Sequence, residues 1–141
     1  SIEHYPFDSF GNIPFEDVMA RLDNFVIQLF NLKAVDSRWQ GYIIVYAGRR
    51  SYRGEAKFKS DCAKNYLVRI RKIEPSSVIA ADGGFRDEML VELFLGRTDY
   101  YPPTLNPTVS LKNVQIVKRR PQSCTGVSPK HASNKRLERT R

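Results

Sequence analysis

The sequence lacks features that several classes of protein require. It holds only two cysteines, Cys62 and Cys124, which are neither clustered like zinc ligands nor numerous enough for a disulfide framework. Cys62 falls inside a predicted helix, whereas Cys124 lies near the C-terminal end, so we expect Cys62 to be a buried free thiol. No run of about 18 apolar residues occurs, so no membrane span is expected.

The chain also has few residues suited to catalysis. Its two histidines, His4 and His131, have no neighbouring cysteine, serine–aspartate pair or carboxylate cluster that would indicate a triad or a metal site. Gly48 and Gly54 are not followed by the Lys-Ser or Lys-Thr pair of a phosphate-binding P-loop. We therefore predict that the protein is not an enzyme and uses no metal or cofactor.

Positive charge is concentrated at the C-terminal end. The net charge is +8 at pH 7, but acidic and basic residues balance over 1–111, and Glu138 is the only acidic residue within 112–141. Such a tail binds polyanions weakly and without specificity, and a solvated, disordered end explains the same composition. No specific nucleic-acid partner is predicted. Within the neutral part, residues 49–72 are rich in Lys and Arg, which predicts one basic surface.

Hydrophobic periodicity in the first half of the chain indicates a strand, a helix and a second strand. Residues 5–10 alternate around aromatic side chains, and residues 14–32 form an amphipathic helix that starts near Pro14. The continuous apolar run 42–47 is typical of a strand that is covered on both faces. The helix is expected to carry one apolar stripe, formed by Val18, Leu22, Phe25, Val26, Leu29 and Phe30.

The next segment again contains a helix followed by strands. A turn over 48–54 leads into a second helix of about 55–69, whose apolar side has small residues that allow close packing on a sheet. Residues 78–84 predict a short buried strand, and residues 88–96 predict a longer one with alternating faces. The order βαβαββ describes an α/β (α+β) domain with a mixed sheet and two helices packed on one face.

We predict three segments along the chain. Residues 1–99 form the folded domain. Residues 100–117 begin with "YYPPTLNPT" and form a proline-rich linker or extended arm, with a possible extra edge strand over 109–117. Residues 118–141 lack periodicity and predict a basic, disordered tail.

Several sequence segments, by their order and spacing, resemble the OmpA-like C-terminal domain of bacterial cell-envelope proteins. "YPFDSFGNIPFEDVMARLDNFVIQL" is similar to that family's opening strand, turn and helix, and "GYIIVYAG" to the strand before its ligand loop. "AKNYLVRIRKIEPSSVIAADGG" and "VELFLG" resemble the segments that close the family's sheet. The resemblance covers about residues 5–97 and implies the same fold in a periplasmic or cell-envelope protein. Since the chain begins at Ser1 without a methionine, we expect that an upstream export signal has been removed.

The chain departs from the family at its ligand site. Members that anchor to peptidoglycan carry an aspartate after the central strand and an arginine in the next helix, which together hold the diaminopimelate of the peptide stem. Here "GRRSYRG" replaces that turn, with Ser51 at the aspartate position and Lys59 at the arginine position. The resemblance therefore implies altered or lost peptidoglycan recognition, because a lysine is no bidentate donor.

The residues that replace this site are cationic. Arg49, Arg50 and Arg53 surround the start of the predicted second helix, where free N–H groups and the helix dipole favour an anion. Together with Ser51 and Lys59 they form a candidate site for a wall carboxylate, a phosphate or an acidic protein surface. The alternative is that the arginines are solvated or paired with neighbouring carboxylates, at about 0–1 kcal/mol per pair.

These patterns and the resemblance predict a non-catalytic OmpA-like domain. Its role would be to bind or tether peptidoglycan, another anionic wall component or an envelope protein. A second hypothesis is a protein–protein interaction module that uses the basic turn and the edge strand. A third is nucleic-acid binding through the basic tail, which the neutral domain disfavours.

Overall fold

The computed structural model describes residues 4–118 and 123–125. It confirms the predicted α/β (α+β) fold class, with a mixed sheet and two helices on one of its faces. In chain order, the elements are β1 (His4–Phe10), α1 (Phe15–Val35), β2 (Trp39–Ala47), β3 (Arg50–Tyr52), α2 (Glu55–Asn65), a π-helical turn (Tyr66–Ile70), a 3-10 turn (Pro75–Ser77), β4 (Val78–Phe85), β5 (Leu90–Arg97), a second 3-10 turn (Leu111–Asn113) and β6 (Gln115–Val117).

The main sheet has the strand order β1-β5-β2-β4. Strand β2 lies inside the sheet and pairs in parallel with β4 and antiparallel with β5, so that Ile43 lies opposite both Ala80 and Leu93. Strand β1 pairs antiparallel with β5 at the outer edge. The continuous apolar run of β2 fits this central position, because a central strand is covered by neighbours on both sides and on both faces.

Both helices pack on the face of the sheet that carries Ile43 and Val45. Helix α1 approaches β2 closely at Gly41, where a Cβ atom would lie 2.8 Å from a ring carbon of Phe25. The predicted stripe of α1 is confirmed at Leu22, Phe25, Val26 and Leu29, which are buried, whereas Val18 is half-buried. Phe30 was placed wrongly, since it is 46% exposed. One residue past Leu29, it lies about 100° further around the helix and leaves the packed face.

Part of the second face of the main sheet, beside Tyr46 and the end of β4, is covered by the proline-rich segment 100–109. Pro103 and Val109 are buried, and the backbone N–H of Asn106 donates to the hydroxyl of Tyr46 at 3.0 Å. Val109 forms an isolated bridge with Phe85 at the end of β4. This segment explains how β2 is buried on both faces although the helices cover only one. The predicted linker or arm is thus extended but packed on the sheet.

The turn predicted over 48–54 contains a short strand that sequence patterns did not indicate. Strand β3 pairs in parallel with β6, so the predicted edge strand over 109–117 is shorter than expected and joins β3 instead of the main sheet. The second helix keeps α-helical geometry only to Asn65. The boundary at residue 99 stays a prediction, and the predicted disorder of the tail falls mostly on residues outside the described ones.

The carboxylate of Asp23 joins α1 to the turn after α2. It accepts a hydrogen bond from the Tyr66 hydroxyl at 2.7 Å and two from the Arg71 guanidinium at 2.7 and 2.8 Å. The hydrogen bonds from Arg71 lower the pKa of Asp23, and they outweigh burial, which raises it. The charged form of Asp23 is therefore more stable in the folded chain than in the unfolded chain.

We expect Asp23→Asn to lower the free energy of unfolding at neutral pH by about 1–2 kcal/mol. Because the folded-state pKa of Asp23 lies below the unfolded one, this stabilisation exists above the unfolded pKa and is lost as the pH falls through the folded pKa. Urea unfolding at neutral pH and in acid measures the effect. The variant and the original protein should differ at neutral pH and converge in acid.

Asp61→Asn is the matched control for this change. Asp61 forms only an exposed pair with Lys57 on α2, with side chains 53% and 72% exposed, so its loss should cost less than about 0.5 kcal/mol. An Asp23→Asn protein that is as stable as the original at neutral pH would contradict the prediction.

Candidate functional site

The structure joins Cys62 and Cys124 in a disulfide across a sequence separation of 62 residues. The predicted free thiol at Cys62 is therefore wrong, although the residue is buried as expected, at 5% exposure. The physical reason is the pairing of β6 with β3, which returns the chain to the start of α2 shortly before Cys124. An even number of cysteines was the only signal of this bond, and the partnership depends on a strand pairing that no local pattern indicated.

A cavity of about 350 Å³ lies beside this disulfide. It is bordered by the end of β1, the start of α1, one side of α2 and the loop before β5, and its volume is within the usual range for small-ligand sites. Its walls are mainly apolar, as the side chains of Phe10, Phe15, Val18, Val45, Phe58 and Val91 show. Residues 123–125, including Cys124, form part of the wall.

A single ion pair lines this cavity. The Lys59 ammonium lies 2.9 Å from Oε2 of Glu55, one turn earlier on α2. The other carboxylate oxygen of Glu55 accepts the backbone N–H of Tyr52 at 3.2 Å. The two side chains are 13% exposed for Glu55 and 28% exposed for Lys59, so the pair is largely shielded from solvent.

The other contacts of Lys59 are weak. Its ammonium is 3.5 Å from the amide oxygen of Asn12 and 3.3 Å from the thioether sulfur of Met89. The first distance is at the limit for a hydrogen bond, and a thioether is a poor acceptor. Lys59 therefore offers donor capacity to the cavity, and Glu55 holds the lysine through one oxygen and the backbone of Tyr52 through the other.

The structure brings one of the five residues of the predicted anion site into this cavity, and the anion site itself stays a prediction. Arg49 pairs with Asp87 in the loop between β4 and β5, and Ser51 is buried with no hydrogen-bond partner for its Oγ among the described residues. Arg50 and Arg53 are exposed. Of these five residues, only Lys59 lines the cavity. The pairing of Arg49 agrees with the alternative interpretation, in which an arginine is partnered by a nearby carboxylate.

Sequence patterns missed most of this cavity. Neither Glu55 nor Asn12 was among the predicted site residues. The walls come from five separate parts of the chain, within 10–18, at 45, and within 52–63, 89–91 and 123–125, so their meeting point depends on how the elements pack. In residues 4–118 and 123–125, no group of three His, Cys, Asp or Glu residues is placed to hold a metal ion. None of the helices described there is long and apolar enough to cross a membrane.

The fold and the cavity define a mixed α/β domain with a ligand-sized apolar site that carries one ion pair. No family model, curated protein or solved structure matches the chain. The resemblance to OmpA-like domains, the compartment and the function consequently stay predictions.

Proposed function

We propose that this chain is a non-catalytic binding domain of the cell envelope that tethers a carboxylate-bearing wall component in the cavity beside α2. One observation carries the proposal: the cavity holds a lysine ammonium whose contacts, apart from Glu55, are weak. Peptide stems of the cell wall carry carboxylates and small apolar side chains, and both suit an apolar cavity with one cationic donor. Peptidoglycan is therefore the partner we propose first.

The weak contacts that Lys59 would give up on binding a ligand support a carboxylate as that ligand. A carboxylate placed in the cavity would replace the 3.5 Å contact to Asn12 and the sulfur contact to Met89 with a charge-assisted hydrogen bond, which is the stronger kind. Glu55 would remain bonded to the backbone of Tyr52 and keep the lysine in place.

The surroundings of the cavity favour the same kind of partner. Ligands of open α/β sheets bind near the carboxyl ends of strands, and Val45, near that end of β2, lines the cavity. Arg53 is exposed and lies in the chain between Tyr52 and Glu55, which both line the cavity. Exposed arginines beside a site attract anions at long range.

The disulfide supports the proposed compartment. Disulfides persist in oxidising environments such as the bacterial periplasm and are rare in reducing ones. The Cys62–Cys124 bond is thus consistent with an exported protein, as the family resemblance implies.

An interaction module for another protein is the second candidate. Strand β6 pairs with β3 along one edge, no other strand in residues 4–118 and 123–125 pairs with its second edge, and Ile116 on β6 is 42% exposed. An unpaired edge can accept a further strand from a partner.

A sedimentation assay with purified peptidoglycan sacculi tests the proposed binding to the cell wall. We expect the full chain to bind and Lys59→Met, which keeps the side-chain length without the charge, to bind at least about tenfold more weakly. Lys57→Met is the matched control, because Lys57 lies on the same helix but is 72% exposed and paired with Asp61 outside the cavity. It should bind like the original protein.

Three results would contradict the proposal. Equal binding by Lys59→Met would place the ligand elsewhere. Salt-sensitive binding that is lost only when Arg50 and Arg53 are replaced by alanine would assign recognition to the basic turn. The absence of binding by the original protein would exclude peptidoglycan and favour a protein partner.

A further inference from the structure

We propose that the Cys62–Cys124 disulfide is a redox control of the cavity: it holds residues 123–125 in place as one wall, and its reduction removes that wall and weakens binding. The inference rests on the proposed function only in taking the cavity as the ligand site. It does not depend on the ligand being peptidoglycan.

The position of the bond carries this proposal. Cys62 lies within α2 and is 5% exposed, and both cysteines line the cavity together with Ser123 and Thr125. Thr125 also borders a shallow depression formed by Pro14 and Met19 at the start of α1. Residues 123–125 thus reach from α2 to the first turns of α1 and border the cavity on that side.

The disulfide is the covalent attachment of this wall to the helix. Cys124 and Thr125 are both exposed and Ser123 is half-buried and polar, so the three residues bury little apolar surface against the domain. Burial of apolar area is the main source of non-covalent stabilisation, so little of it is available here. We infer that the wall depends on the bond to Cys62.

The exposure of Cys124 also makes the bond accessible to a dithiol reductant. One thiolate of the reductant attacks the sulfur of Cys124, the S–S bond breaks, and Cys62 leaves as a thiolate that takes up a proton. The second thiol of the reductant then resolves the mixed disulfide and releases the thiol of Cys124. The net reaction reduces the protein disulfide to two thiols and oxidises the dithiol to its own disulfide.

The two equilibria are coupled in both directions. If the oxidised protein binds a cavity ligand more tightly by a given factor, the bound ligand must make the disulfide harder to reduce by the same factor. A factor above one between two folded states distinguishes a redox-controlled site from a disulfide that only stabilises the fold. Couplings of this kind are typically about 5- to 150-fold in affinity.

The test uses 1-anilinonaphthalene-8-sulfonate, an apolar anion whose fluorescence reports burial in an apolar site. We expect the oxidised full chain to bind this probe at least about fivefold more tightly than the chain reduced with a dithiol. Saturating probe should shift the equilibrium of reduction in a dithiol buffer by the same factor. The Cys62→Ser/Cys124→Ser protein is the control, and the dithiol should leave its probe affinity unchanged.

Near-UV circular dichroism must show that the reduced chain keeps its native packing. If it does not, the measurement is repeated in concentrated sucrose, which favours the compact state. A reduced chain that stays unfolded there would overturn the proposal, since a switch needs two folded states. Equal probe affinity, tighter binding by the reduced chain, or no effect of the probe on reduction would overturn it as well.

The outcomes separate this inference from the proposed function. Sacculi that bind the oxidised and the reduced chain equally would leave the wall-tethering function standing and remove the redox control. A redox-dependent probe affinity without any binding to sacculi would support the redox control and contradict the proposed binding to peptidoglycan. If the oxidised chain does not bind the probe at all, the cavity is not an apolar anion site and both proposals fail.

Discussion

Replacing Cys62 and Cys124 together by serine is expected to lower the free energy of unfolding by about 4 kcal/mol. The bond closes a long loop, with a sequence separation of 62 residues. Without it, the unfolded chain gains conformational entropy that the folded chain does not share, and the chain-entropy relation for a loop of this length gives that magnitude. A typical small domain is stable by only about 5–15 kcal/mol, so the change is large.

Urea unfolding of the oxidised, reduced and doubly substituted proteins measures this loss. The reduced protein and the double variant should unfold at nearly the same denaturant concentration, and a dithiol should not affect the variant. A loss below about 1 kcal/mol would mean that the unfolded chain is already restricted near these positions, because a disulfide then removes little entropy.

Phe25→Ala is expected to destabilise the domain by about 3–5 kcal/mol. Phe25 is fully buried on α1, and its ring fills the space above Gly41, where β2 comes closest to the helix. The ring also lies 5.6 Å, centre to centre, from that of Phe7 on β1. Truncation therefore removes the side chain that joins α1 to two strands and leaves a cavity that the surrounding sheet cannot close.

Phe30→Ala is the matched control on the same helix. Its side chain is 46% exposed, so the same chemical change should cost less than about 1 kcal/mol. Thermal or urea unfolding of both variants provides the comparison. Similar losses for the two phenylalanines would contradict the packing of α1 described here.

The elements that sequence patterns predicted well are those with strong local signals. The stripe of α1 from Leu22 to Leu29 repeats at helical spacing, and the run 42–47 is apolar throughout. Periodicity reflects which face of an element is buried, so it identifies both the element and its buried side. The alternation in β5 is likewise present, with Val91, Leu93 and Leu95 buried and the residues between them half-buried.

The elements that were missed have weak local signals. Strand β3 is three residues long and begins with exposed Arg50, so it has the composition of a turn. The segment 100–109 was predicted as a linker or arm because prolines interrupt regular structure, yet proline does not prevent an extended chain from packing on a sheet. Its burial depends on the hydroxyl of Tyr46 and on the face of β2 that the helices leave open.

The candidate site also combines a residue that the sequence indicated with contacts that it did not indicate. Lys59 was singled out through the family resemblance, and the cavity does contain it. Its partner Glu55 lies one helical turn away, a spacing at which lysine and glutamate commonly pair. The arginines before α2 were grouped because they are adjacent in sequence, but the fold directs Arg49 to Asp87. Adjacency in sequence does not decide on which side of a turn each side chain lies.

The sequence by itself determined the class of fold, the face of α1 that is buried and the central position of β2, because each follows from the spacing of apolar residues within one element. Only the tertiary structure decided the disulfide, the pairing of β3 with β6 and the cavity that holds Lys59. These three depend on contacts between residues far apart in the chain. The free energy that stabilises these contacts comes from the packing of whole elements against one another, and a short stretch of sequence does not determine that packing.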